Sequence, residues 1–233
     1  MSTPSSELPL TEQVQHRVDE RGISYITLNR PDVKNAISPD QRDRVIALLA
    51  EASADLGVRA VVLGHTGDAF CTGADLRASR PPAPRPDDAP KRGVGEVAKM
   101  IREGAQQLVS AVLDCEKPVI AAVNGTAAGI GAHIALACDL VVAADGVRFI
   151  EVFVRRGLVP DGGGAYLLPR MVGVRRAKEL LFFGDDLSAA EAAELGLINK
   201  VVPAAELDAA VEAWAERLAV APTRALALTK WLV

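Results

Sequence analysis

The chain has 233 residues, 49% of them apolar and only 4% aromatic, which suits one large α/β domain or two small ones with a sizeable core built from Ala, Val, Leu and Ile. A net charge of −4 argues against nucleic-acid partners, so a polyanionic ligand must be met by local basic residues. Cys71, Cys115 and Cys138 form no CxxC pair, the start MSTPSSELPL lacks a signal-peptide core, and no apolar run could span a membrane, so a cytoplasmic protein with no membrane partner is expected.

Residues 1–10 read as a flexible tail, 11–196 as the core and 197–233 as a C-terminal helical region. Val14–Val18 and Ile23–Leu28 read as strands of a hairpin through Glu20-Arg21-Gly22. Ser38-Pro39-Asp40-Gln41 is a capping box with proline at the first helical position, and predicts a helix to about Asp55. Residues 60–64 are a short apolar strand. Residues 79–93, SRPPAPRPDDAPKRG, are Pro-rich and charged, and read as a loop.

Val94, Val97, Ile101, Ala105, Leu108 and Val112 recur at helical spacing and predict one amphipathic helix. Residues 118–123 are a buried strand. A Gly/Ala-rich turn then leads into a helix to about Cys138, and Leu140–Ala144 is a further strand. From about Gly162 the chain is mostly helical, with a second capping box at Ser188 and Glu191 and a stop at Gly196. No repeat is visible. The chain ends in ALTKWLV with neither cap nor glycine stop, so a break inside a helix is expected, with Trp231 in the core or an interface.

HExxH, GxxxxGK[ST] and GxSxG are absent, and His16, His65 and His133 lie far apart, so no metal site is expected. Gly129-Ile130-Gly131 follows a strand but lies six residues beyond it and lacks the third glycine of a dinucleotide fingerprint. AFCTGADL (69–76) and NGTAAGIGAH (124–133) each put small residues where a helix is expected to begin after a strand. Such stretches pack a helix tightly on a sheet, or let two helix N-termini converge on one carbonyl oxygen as an oxyanion hole. Asp161, between Pro160 and three glycines, is on its face a turn residue.

These stretches, with ITLNRPDVKNAI, KPVIAAVNGTAAGIGAHIALACD, GLVPDGGGAYLLPRMVG and LSAAEAAELGLINKVVP, fall in an order and spacing that resembles the crotonase (enoyl-CoA hydratase/isomerase) superfamily from about residue 14 to 233. The resemblance implies an α/β fold, a spiral of repeated ββα units with a helical C-terminal region. It implies an acyl-CoA thioester as substrate, no further cofactor, and a homotrimer or dimer of trimers. The backbone N–H groups of Ala74 and Ile130 would bind the thioester oxygen. Most relatives have glycine at position 130, so the isoleucine narrows the pocket there. CoA-binding positions fall on Val33, Lys34, Ala36, Asp75, Leu76 and Arg77, with Arg30, Lys34 and Arg77 offering charge to the phosphates.

The two glutamates of the family's hydratases fall on His133 and Phe153, and neither is a carboxylate. Glu151, two residues away from the second position, is either a substitute or a solvated or structural charge. Asp161 lies eight residues past Phe153, where dienoyl-CoA isomerases and phenylacetate-pathway 1,2-epoxyphenylacetyl-CoA isomerase-like members carry a catalytic aspartate. The expected activity is therefore an enoyl-CoA isomerisation with Asp161 as acid/base. The alternatives are a hydratase using His133 or Glu151, and a non-catalytic acyl-CoA-binding protein. His133 would contact substrate or water, act as a second base, or simply pack. The loop 79–93 would cover the acyl chain or be a surface insertion.

Overall fold

The computed structural model describes residues 5–78 and 93–233; the loop expected over 79–93 lies outside them except for Gly93. The elements run α1 (Leu10–Gln13), β1 (Val14–Val18), β2 (Ile23–Leu28), α2 (Pro39–Ala54), β3 (Ala60–His65), β4 (Ala69–Cys71), α3 (Val94–Ile101) and α4 (Gln107–Leu113). They continue with β5 (Val119–Val123), β6 (Thr126–Ala128), α5 (Ile130–Ala137), β7 (Leu140–Ala144), β8 (Arg148–Ile150), α6 (Gly164–Phe183), β9 (Asp186–Ser188), α7 (Ala189–Glu194), β10 (Lys200–Val202), α8 (Leu207–Ala219) and α9 (Thr223–Leu232).

β3 and β5 are apolar almost throughout because both faces of their sheet are covered. Val61, Leu63, Val119, Ala121 and Val123 point into one core with Val45, Leu48 and Leu49 of α2 and Leu108 and Val112 of α4. The alternate residues Val62 and Ile120, with Ile23 and Val142, face Leu207, Val211, Ala215 and Ala219 of α8. The sheet has the order β1-β2-β3-β5-β7-β10, antiparallel at β1–β2 and parallel elsewhere.

A smaller sheet of order β4-β6-β8-β9 lies beside it. Each of β3, β5 and β7 is followed by a short strand of this second sheet, β4, β6 and β8, and then by helical chain. That is the expected ββα unit, invisible as a sequence repeat because the second strand of each unit has only three residues.

Both capping boxes form, at Ser38 with Gln41 and at Ser188 with Glu191, and Gly196 adopts a left-handed conformation after α7. Three expectations are corrected. From Ser5 the tail is folded: Ser5 is buried and its N–H donates to Asp32 (3.2 Å). The helix expected to run unbroken from Val94 is divided by a π-helical segment, Arg102–Gln106, in which buried Gly104 admits the Arg42 guanidinium. Trp231 is 56% exposed, which removes the core half of its reading and leaves the interface half open.

Candidate active site

The first expected oxyanion donor is held by a loop that only a few residue types could form. Lys34 and Asn35 both have φ 53°, a left-handed conformation that asparagine tolerates better than most residues. Asn35 is buried. Its Oδ1 accepts from the Arg30 N–H (2.7 Å), and its Nδ2 donates to the carbonyls of Thr66 (2.8 Å) and Ala69 (2.7 Å). This ties residues 30–37 to β4. Ile37 N–H then donates to Gly73 O and Asp75 N–H to Ile37 O, at 2.8 and 2.9 Å. Ala74, between them, bridges Ile37 in parallel register, so its own N–H is directed to the other side. No helix starts at Ala74 within residues 72–78, contrary to expectation, so the Ala74 N–H is a strand-edge group without a helix dipole behind it.

Arg30 is not available to a phosphate. It is buried, and its Nη1 donates to Asp75 Oδ2 (2.9 Å), Gln41 Oε1 (3.0 Å) and Ala36 O (3.1 Å). Burial alone would raise the Asp75 pKa, but the Arg30 hydrogen bond, the Arg77 and Ala78 N–H groups and the Arg30 charge hold it below the usual carboxylate range. The Asp75 side chain therefore faces inward as the partner of Arg30. Lys34, Leu76 and Arg77 are exposed and Val33 and Ala36 half-buried, grouped where Thr72 N–H donates to Lys34 O (3.2 Å).

The second expected donor lies on α5. Ile130 is its first residue, after Gly129 at φ 55°, and first-turn N–H groups have no partner within their helix. The helix start and the end of β4 meet backbone to backbone. A methyl on Gly131 would lie 2.0 Å from Cys71 O, and one on Gly73 3.4 Å from Ala128 O. The two predicted stretches are thus brought together. Burial pushes the Cys71 thiol between them up to about 11, which leaves it inert as a nucleophile.

His133 stands one turn along α5 from Ile130 and is fully buried. Its Nε2 is 3.0 Å from Glu151 Oε2, and its ring stacks on Phe153 with centroids 5.0 Å apart and planes 15° apart. Glu151 is itself buried, so it is not a solvated charge. The contact arises from topology: β6 and β8 are parallel neighbours, Gly129 N–H donates to Ile150 O (2.9 Å), and the residue after Ile150 falls beside α5. No local pattern links positions 18 residues apart, so the sequence alone did not show the pair.

Asp161 is half-buried in the expected turn, its N–H donating to Val159 O (2.8 Å). Its carbonyl accepts from Gln106 Nε2 (3.0 Å), a residue that the helical periodicity gave no reason to single out and that the π-helical segment supplies. The glycines after it are packed against the other candidates. A methyl on Gly162 would lie 2.4 Å from Ile130 Cδ1 and 3.3 Å from His133 Nδ1, and one on Gly164 2.1 Å from His133 Nε2. The structure therefore gathers the Asp161 turn, Ile130, His133, Glu151 and Phe153, with the Ala74 stretch adjoining through Gly73. Among the described residues no group of three His, Cys, Asp or Glu could hold a metal, and no helix is long and apolar enough to cross a membrane.

Comparison with known proteins identifies the family. Residues 19–233 match the enoyl-CoA hydratase/isomerase family model. A Rhodobacter capsulatus protein named "probable enoyl-CoA hydratase" is 39% identical over 93% of this chain and 79% of its own length. The 1,2-epoxyphenylacetyl-CoA isomerase of Escherichia coli is 37% identical over 91% of this chain and 78% of its own. The crystal structure of an enoyl-CoA hydratase from Mycobacterium smegmatis superposes with a TM-score of 0.84 at 33% identity, covering 94% of this chain and 81% of that one. With its double-sheet ββα architecture, this chain is an enzyme that belongs to the enoyl-CoA hydratase/isomerase family.

Proposed function

We propose that the enzyme shifts a double bond in an acyl-CoA thioester, with Asp161 as the acid/base. The observation that carries this reading is the seating of the Asp161 turn on Ile130, where Gly162 packs against the Ile130 side chain. The thioester oxygen lies between the N–H groups of Ala74 and Ile130. Each donor stabilises the enolate by roughly 3–4 kcal/mol, which makes the α-proton removable by a carboxylate. Asp161 takes that proton from C2 of a 3-enoyl thioester and returns it to C4, so the double bond moves to C2–C3 with no net gain or loss of atoms. Phe153, at the second hydratase position, has no group to move a proton.

Lys34 and Arg77 meet the CoA phosphates, and Val33, Ala36 and Leu76 form the apolar rim of the same entrance; the exposure of both cations supports this. The exposed Phe182, Phe183 and Trp231 supply apolar surface for a homotrimer or dimer of trimers.

The test offers trans-3-enoyl-CoA and trans-2-enoyl-CoA of several lengths to the purified enzyme and follows products by mass and absorbance. Conversion of the 3-enoyl to the 2-enoyl species, reduced at least a hundredfold in Asp161→Asn, is expected. Full isomerase activity in Asp161→Asn would remove Asp161 from the mechanism. Rapid hydration of the 2-enoyl species, lost in His133→Ala, would replace isomerisation by water addition, for which the buried His133–Glu151 pair would supply the base.

A further inference from the structure

A base that takes a proton from C2 and returns it to C4 must keep one direction toward both carbons. Asp161 stands on soft support for that task, a turn followed by Gly162, Gly163 and Gly164. Two hydrogen bonds offset the softness. The Asp161 N–H donates to Val159 O (2.8 Å), which holds the peptide plane before its α-carbon. Its carbonyl accepts from Gln106 Nε2 (3.0 Å), which holds the plane after it. With both planes held, the Asp161 α-carbon and the side chain that it carries keep one orientation. The first bond is local to the turn. The second spans 55 residues, and among the described residues no other group donates to that carbonyl.

We propose that Gln106 is a positioning residue for the double-bond shift, acting on the reacting carboxylate through the Asp161 carbonyl. This rests on the reading of Asp161 as the acid/base. Helix α4 and the π-helical segment before it seat the turn. Methyls on Gly162 and Gly163 would stand 3.5 Å from Ala105 Cβ and 3.0 Å from Val109 Cγ1. Ala105 and Val109 are four residues apart, so they share one helix face. Gln106 is the next residue round from Ala105 and reaches the carbonyl from beside that face. It closes the π-helical segment Arg102–Gln106, a widened turn of a kind frequent at functional sites. The segment is itself anchored: buried Gly104 rests on the Arg42 guanidinium, whose Nε donates to Asp43 Oδ1 (2.9 Å). Without the Gln106 donor, the Asp161 carbonyl turns to water. Gly162, lacking a Cβ, adds no restraint of its own, and the Asp161 α-carbon rocks. A displacement of about 1 Å in a reacting group costs on the order of a hundredfold in rate.

The experiment compares Gln106→Met, which keeps the length and loses the donor, with Gln106→Lys, which keeps an N–H donor. Gln106 is exposed and lines an open groove with Arg102 and Ser110, and both replacements are good helix formers, so both variants fold. With trans-3-enoyl-CoA and the full chain, Gln106→Met is expected to lose about tenfold or more in kcat, with KM and melting temperature kept. Gln106→Lys recovers most of the loss. Relaxation dispersion at the Gly162 amide reports microsecond-to-millisecond motion of the Asp161–Gly162 peptide. It is expected to be flat in wild type and Gln106→Lys and to show exchange in Gln106→Met. Wild-type kcat in Gln106→Met, in an enzyme that Asp161→Asn inactivates, overturns the proposal and leaves the isomerase reading in place. A fall in kcat that Gln106→Lys does not restore, or that follows the melting temperature down, overturns it too. Should the wild type not isomerise the substrate, that reading fails and the amide decides. Exchange confined to Gln106→Met then upholds Gln106 as the residue that fixes Asp161, and flat profiles in all three proteins overturn it.

Discussion

Gly131 lies so close to Cys71 that a methyl group on its α-carbon would stand 2.0 Å from the Cys71 carbonyl oxygen and 2.7 Å from the carbonyl carbon. Both obstacles are backbone, so neither can rotate away. The close approach holds the first turn of α5 against the end of β4, and with it Ile130 beside the stretch that carries Ala74. Gly131→Ala must push the helix start off the strand. Overpacking of this kind costs about 1–3 kcal/mol. A shift of about 1 Å in a catalytic group costs on the order of a hundredfold in rate. Thermal denaturation and kcat of Gly131→Ala are expected to fall together. Gly146→Ala, with nothing within 4 Å of the new methyl, serves as the neutral control. Wild-type melting and turnover in Gly131→Ala would show that this contact does not place Ile130.

The Arg30–Asp75 ion pair gives a prediction opposite to the one for a phosphate ligand. The two side chains are 6% and 10% exposed, and the guanidinium also holds Gln41 and the Ala36 carbonyl. Arg30→Met leaves the Asp75 carboxylate buried and unpaired, which costs about 3–5 kcal/mol. It also loosens the residue next to Ala74. The expected result is lower stability to urea and a lower kcat, with little change in KM for acyl-CoA. Had Arg30 met CoA phosphates, KM would rise, with stability kept. Because the Asp75 pKa is depressed on folding, the pair's contribution is present above about pH 4, near the unfolded value, and is lost as the pH falls through the folded value.

These cases mark where the sequence could be read and where it could not. The capping boxes at Ser38 and Ser188, and the apolar runs of β3 and β5, are local chemistry, settled within a few residues of chain. β4, β6 and β8 have three residues each, too few to show an alternation, yet they bring Gly131 to Cys71 and Glu151 to His133. Arg30 looked like a surface cation because Asp75, its partner, is 45 residues away. The Asp161 turn was legible from Pro160 and the glycines. What it packs on was not, because Ile130 and His133 reach it only through the turn of α5. Gln106 was hidden for a different reason: a π-helical segment shifts the register that helical periodicity assumes.

His65 is expected to make the fold sensitive to acid. Its Nε2 accepts from the Asn124 N–H (3.0 Å), and Nδ1 lies 3.3 Å from Thr66 O, to which the neutral ring donates. Asn124 opens the segment that leads to Ile130. Burial lowers the His65 pKa below its ordinary value, against the opposing pull of the Thr66 carbonyl and the Asp68 charge. The unfolded chain, titrating near pH 6.5, therefore binds the proton first as the pH falls. Stability rises with pH across this range and is lost on acidification, by at most about 1.4 kcal/mol per pH unit for one group. Protonating Nε2 also removes the acceptor for Asn124. His16 is displaced in the same direction, by burial and then by the charge of Arg44, with Glu51 opposing, and adds to the slope. Urea midpoints measured from pH 7.5 to 5.5, above the main carboxylate range, are expected to fall in wild type. They should fall less in His65→Gln, whose amide oxygen accepts from Asn124 without titrating. Parallel curves for the two proteins would show that His65 carries none of the acid sensitivity.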